Sequence, residues 1–231
     1  MPRRTERAGP KPARSTRADA PLVRDRLLDA AERLFAERGF HGASVRDITS
    51  AAGVGLAAIN YHFNTKEELF RDVVLRRASV LNEGRLSLLA DVNLARGSQV
   101  QRVSAIATAY ITPLLQHGAE DPGFRAYFGL MAQVSNTALP VLALLADHFN
   151  GVADRFVEAL QQVYEDVPLQ AVQQAYDCMV GSTLYAFSGN RRLESLARGT
   201  FRAGAYESEG KPLVAYIAGG VARMLSAAHE A

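Results

Sequence analysis

The chain holds one cysteine and no tryptophan in 231 residues. With Cys178 alone, no internal disulfide can form, and a cytoplasmic protein is expected. No stretch of eighteen apolar residues is free of charge, which argues against a membrane-spanning helix. The basic N-terminus leads into no apolar segment, so it does not read as a secretory signal. No alternating apolar and polar run is long enough to suggest a strand, and no segment repeats. Signatures of chemistry are also missing. His41, His62, His117, His148 and His229 show no metal-ligand spacing with cysteine or carboxylates. Cys178 has no His or Asn near it in sequence and reads as a small buried hydrophobe. There is no phosphate-cradling glycine loop and no GxSxG elbow. Neither an enzyme nor a cofactor-dependent protein is expected.

What is present is apolar and helical. Hydrophobic residues make up 48% of the chain, ample for a sizeable core. The net charge of +2 hides an asymmetry: residues 1–26 carry eight basic groups against three acidic ones, which leaves the remainder net acidic. Residues 1–20, "MPRRTERAGPKPARSTRADA", are almost without apolar side chains and read as a disordered basic arm. Such an arm is either a solvated tail or a contact to DNA phosphates or a minor groove.

From Pro21 onward helical periodicity dominates. Leu27, Leu28, Ala31, Leu34 and Phe35 form one apolar stripe, ended by Gly39. Ser44 is placed to cap "VRDITSAA", which closes at Gly53, and a short helix follows over 56–63. Thr65 to Glu68 reads as a capping box opening a long helix through Leu81. Further helices are expected over 99–117, 122–135, 139–166, 169–188 and 211–228. Pro122, Pro140, Pro168 and Pro212 each fall where a helix can begin. The class is all-α.

Two short helices, 45–52 and 56–63, joined by Gly53-Val54-Gly55 can form a helix-turn-helix. The second begins with small residues, Ala57 and Ala58, which let a backbone approach a major-groove floor. Leu56, Ala57, Asn60 and Tyr61 share one face, with His62 on its flank, while Ile59 and Phe63 point the other way. An amide, a phenol and an imidazole can each reach phosphates or base edges. A capped three-helix unit with aromatic core contacts would carry the same pattern.

The stretch Leu27 to Phe70, "LLDAAERLFAERGFHGASVRDITSAAGVGLAAINYHFNTKEELF", resembles the DNA-binding domain of the TetR/AcrR family of bacterial transcriptional regulators. The likeness runs through Ala30-Ala31, Leu34-Phe35, Gly39-Phe40, Ser44, Ile48 and Ala51 to Val54. It continues through Tyr61-His62-Phe63 and Lys66 to Leu69. It implies that Ser44 and Lys66 contact phosphates and that Arg46 reaches a guanine edge or a phosphate. It also implies that Ala57, Asn60, Tyr61 and His62 belong to the recognition helix. Asn60 stands where many members carry Tyr, and Gly55 where Ser or Asn is often found. The first departure leaves the base preference open, and the second removes a side-chain cap.

The resemblance fades after about residue 75. It implies three parts: the arm 1–20, a helix-turn-helix domain over 21–67, and a helical dimerisation and ligand-binding domain over 68–231. It further implies a homodimer on a palindromic operator in double-stranded DNA, a repressor released by a small-molecule inducer, with no membrane partner. A chromosome-associated DNA-binding factor without an inducer is the alternative. "PLVAYIAGGVARML" and "YDCMVGSTLYAF" are apolar almost all round, so the dimer seam is expected at Tyr176, Val180, Leu184, Tyr216, Gly219, Gly220 and Arg223. The pocket is expected among Tyr110, Phe124, Tyr127, Phe128, Met131, Phe149, Phe156 and Tyr185. Gln133, Asn136 and His148 are candidate polar anchors within it.

Overall fold

The computed structural model describes residues 20–135, 140–189, 195 and 206–229. Most of the basic arm lies outside these residues, and so does Asn136. Among the described residues nine α-helices are bounded, with no strand: α1 Ala20–Gly42, α2 Val45–Ala52, α3 Ala57–His62, α4 Lys66–Ala90, α5 Gln99–Glu120, α6 Pro122–Val134, α7 Ala146–Val163, α8 Leu169–Phe187 and α9 Tyr206–His229.

The N-terminal helices are held by short-range capping. Ser44 Oγ accepts from the Asp47 N–H at 3.1 Å, and Asp47 Oδ2 accepts from the Ser44 N–H at 3.3 Å, a reciprocal box at the start of α2. At its end Gly53 is left-handed (φ 64°), its N–H bonding to Ser50 O and that of Val54 to Thr49 O, which closes a Schellman turn. Arg26 of α1 donates to the carbonyls of Ala52 and Gly53, placing a cation on the negative end of α2. α4 starts with only half the expected box. Thr65 Oγ1 accepts from the Glu68 N–H at 3.1 Å, while the Glu68 carboxylate turns to Asn64 Nδ2 at 3.0 Å.

Gly39 (φ 69°, ψ 175°) breaks the regular helix where the apolar stripe ends, and a last short turn follows to Gly42. Two boundaries differ from the periodicity reading. Residues Pro140–Leu145 form a 3-10 turn, so α7 begins at Ala146 rather than near 139. α9 begins at Tyr206, with Pro212 inside it. Proline's fixed φ is helical, so what it removes from a helix is one hydrogen bond and some steric room, and neither need set a boundary. Pro113 likewise sits inside α5. Gly84 of α4 makes the room for it, since a Cβ there would lie 3.2 Å from Pro113 Cγ.

α1 packs on α2, α4 and α6, and α4 runs from this cluster along α5 and α7. Phe35, Phe40 and Phe70 pack ring to ring where α1 meets α4. α9 lies on α5 and α8, burying Ile217, Ala218, Val221, Ala222 and Leu225. α9 is therefore two-faced within one protomer, not enclosed all round. Its other side exposes Tyr216, Gly219, Gly220 and Arg223.

Candidate nucleic-acid interface and internal cavity

The turn from α2 to α3 fixes which side of α3 faces outward. Ile59 and Phe63 are buried beneath it, and Leu56, Ala57, Asn60 and Tyr61 are exposed on one surface. Tyr61 is 73% exposed, and its ring meets the His62 ring edge-on with centroids 4.8 Å apart. His62 is half-buried. Desolvation lowers its pKa, and the nearby Arg24 charge adds to that, which favours the neutral imidazole. α3 begins without a side-chain cap, as Gly55 foretold.

The flanking groups are partly committed elsewhere. The Ser44 hydroxyl donates to Asp47 Oδ2 at 2.7 Å while it accepts from the Asp47 backbone. The Ser44 hydroxyl and then its N–H hold the Asp47 carboxyl below its ordinary range, against slight desolvation, and Arg38 adds a little. Arg46 is exposed on α2. Lys66 Nζ rests 4.5 Å from the centroid of the Phe40 ring, and desolvation lowers its pKa despite neighbouring Glu67. To meet a phosphate Lys66 must swing away from Phe40.

A second feature lies in the larger half. A cavity of about 340 Å³ opens between α4, α5, α6, α7 and α8. Tyr110, Tyr127, Phe128, Met131 and Phe149, all expected in a pocket, line it. Phe124 and Phe156 do not. Phe124 is stacked on His117 under the Arg77 guanidinium, and Phe156 is fully buried edge-on to Tyr110. Tyr185 is 61% exposed on the outer side of α8. Tyr176, Val180 and Leu184, expected at a dimer seam, line the cavity instead. The apolar stripe of α8 was legible, but which of its edges faces inward was not. Gln133 is exposed beside Gly39, and His148 pairs with Asn82 Nδ2 at 3.2 Å outside the lining.

Periodicity alone did not single out Asn82 and Arg85, both buried in the cavity wall. The signal was available: Arg85 falls four residues after Leu81 on the inward stripe of α4, an unusual place for a charge. Glu32 on α1 carries the same signal.

Residues 27–73 match the model of the tetR family of bacterial regulatory proteins, and residues 108–220 match the tetracyclin repressor-like C-terminal domain. The transcriptional repressor AcnR of Corynebacterium efficiens is 32% identical over 149 residues, covering 62% of this chain and 77% of that protein. AcnR of Corynebacterium glutamicum is 40% identical over 83 residues, covering 34% of this chain and 40% of its own length. A transcriptional regulator from Pseudomonas aeruginosa PAO1 has the same fold, with a TM-score of 0.61 at 21% identity over 93% of this chain and 95% of that one. The chain belongs to the TetR family of bacterial regulatory proteins.

Proposed function

We propose that the chain is a homodimeric repressor that binds a palindromic operator through α3 and is released by a small molecule held in the cavity. The observation that carries this reading is the exposed surface of Ala57, Asn60 and Tyr61, presented on a helix that buried Ile59 and Phe63 seat on its own domain. In this reading residues 21–67 meet DNA and residues 68–231 supply the dimer and the cavity. Ser44, Arg46 and Lys66 hold phosphates, Asn60 reads a base edge, and Tyr61 and His62 flank it. The dimer forms through the outer faces of α8 and α9, with Tyr185, Tyr216, Gly219, Gly220 and Arg223 at the seam. Two copies then present α3 to successive major grooves, about 34 Å apart.

α4 joins the two functions. It begins at Lys66, directly after α3, and reaches the cavity wall at Asn82 and Arg85. That is a span of about 28 Å at the rise of an α-helix. A ligand that favours one tilt of α4 would change the spacing of the two recognition helices. The cavity supports this reading over a chromosome-associated factor, which has no need of one. Repression accords with the named relative AcnR, and a regulator acting on chromosomal DNA works in the cytoplasm.

The test is selection of DNA from a random pool by the purified protein, followed by footprinting. Enrichment of a two-fold symmetric site with half-sites one turn apart is expected. Enrichment of no sequence, with binding set by length and salt alone, would overturn the reading in favour of the chromosome-associated alternative.

A further inference from the structure

The cavity wall contains a buried cation without an anion. Arg85 is 9% exposed. Its Nε donates to Tyr110 O at 3.1 Å and its Nη1 to Asn82 Oδ1 at 3.0 Å, while the guanidinium carbon lies 3.9 Å from the Tyr110 ring centroid. Among the described residues no carboxylate pairs with it, and its Nη2 has no hydrogen-bond partner. A guanidinium in the interior needs a counter-charge. Backbone and amide oxygens supply dipoles only. The protein invests other charges differently: buried Glu32 is met by both Arg76 and Arg77.

Phenols surround the same spot. Tyr127 is buried beside Arg85, and its hydroxyl has no hydrogen-bond partner among the described residues. Tyr176 packs edge-on to Tyr110, ring centroids 6.1 Å apart, and also lines the cavity. Burial pushes both the Tyr127 and Tyr176 phenols far above their usual range, so they remain protonated and available as donors. Asp177 is a lining carboxylate, but it is exposed and makes no ion pair with Arg85. Phe128, Met131, Phe149 and Leu184 complete the wall with apolar surface.

We infer that the cavity binds an amphipathic monocarboxylate, its carboxylate on Arg85 with the Tyr127 hydroxyl as a further donor and its apolar body among Phe128, Met131, Phe149 and Leu184. One cation selects a single negative charge, and the planar guanidinium fork matches a carboxylate. The volume sets the size. At about 30 Å³ per non-hydrogen atom, the liquid share of a water molecule, 340 Å³ holds about a dozen atoms. The inference deepens the reading of the cavity as a ligand site and rests on it.

The test is calorimetric titration of the full-length protein, without DNA, using matched probes. These are decanoate, 1-decanol, decylamine and decyl phosphate, with 4-phenylbutyrate and 4-phenylbutanol as an aromatic pair. At least one carboxylate is expected to bind tenfold or more tightly than its own alcohol, with the amine weaker still. Arg85→Met should erase the preference for acid over alcohol. Arg85→Lys should keep part of it, and the helical circular dichroism of both variants should match the parent. Equal affinity for acid and alcohol in both pairs would overturn the inference. So would tighter binding of decyl phosphate than decanoate, or an undiminished preference in folded Arg85→Met. A carboxylate that binds without releasing operator DNA would uphold the inference and sink the inducer reading. A neutral probe that binds best and releases DNA would do the reverse.

Discussion

Glu32 of α1 and Arg77 of α4 meet at 2.6 Å, Oε1 to Nε, with a second contact from Arg77 Nη2 to Oε2 at 3.1 Å. Arg77 also reaches Asp121 Oδ2 at 2.6 Å, at the corner between α5 and α6, and lies over the Phe124 ring. Arg76 Nη2 also donates to Glu32 Oε2, at 2.6 Å. The hydrogen bonds Arg77 donates to Glu32, outweighing burial, push the Arg77 pKa up and fix its charge. One carboxylate and two guanidinia thus bind the DNA-reading half to the cavity half. Glu32→Gln leaves two partly buried cations short of a partner and is expected to cost about 3 kcal/mol. Asp29, 70% exposed, also pairs with Arg76, and Asp29→Asn is expected to cost less than about 1 kcal/mol. Urea denaturation of the two variants checks the contrast; equal midpoints would show that burial of the pair does not matter.

Acid should weaken the same corner. The Asp121 carboxyl is desolvated, which alone would raise its pKa. The Gly123 N–H and Arg77 outweigh that and hold it below the ordinary 3.8. A group depressed in the folded state contributes stability that is present above its unfolded pKa and lost as pH falls through the folded one. Thermal stability should therefore fall more steeply below pH 4 in the parent than in Asp121→Asn, which starts lower at neutral pH. Parallel curves for the two proteins would remove Asp121 from the account.

Much of the DNA-reading half was legible because its stops are local. Ser44, Gly53 and Thr65 announce helix ends through their own chemistry, without help from distant residues. The stripe Leu27, Leu28, Ala31, Leu34 and Phe35 is buried as periodicity indicated. The larger half was less legible because its helices are apolar on more than one side. On α8, Tyr185 lies about 100–180° round the helix axis from Leu184, Val180 and Tyr176, yet both sides carry apolar groups, and the packing of α6 and α7 decides which side lines the cavity. Arg85 was overlooked because a charge on an apolar stripe reads as noise until its surroundings are known.

The turn that orients α3 should tolerate little. Gly53 is left-handed, and a Cβ there would also lie 2.7 Å from Arg26 Nη2, the group that caps α2. Gly53→Ala is expected to cost about 1–2 kcal/mol from the backbone alone. It should weaken operator binding further by moving Arg26. A calorimetric melt and a DNA titration check both effects; unchanged operator affinity in the folded variant would show that the turn does not set the docking angle.

Asn60 and Tyr61 should separate reading from positioning. If Asn60 pairs with adenine, Asn60→Ala should relax one operator position by roughly 1–3 kcal/mol and leave the others intact. Tyr61→Ala should weaken all sites together, because a phosphate contact carries no sequence information. Binding to a panel of single-base operator variants checks both. A uniform loss with Asn60→Ala would move that residue to the backbone.

The outer face of α9 offers a test of the dimer seam that leaves the protomer untouched. A Cβ built on Gly219 or Gly220 meets nothing within 4 Å, and both glycines are exposed, as is neighbouring Tyr216 at 69%. Within one protomer a larger residue at either position fits, and it should raise helix propensity by replacing glycine. In the proposed dimer it would stand in the seam, where the two backbones approach. Gly220→Phe is therefore expected to keep its helical circular dichroism and thermal stability as a protomer while the light-scattering mass falls from dimer to monomer. Affinity for a two-half-site operator should fall with it, because a lone protomer engages one groove only. A variant that stays dimeric with undiminished operator affinity would place the seam elsewhere on the molecule.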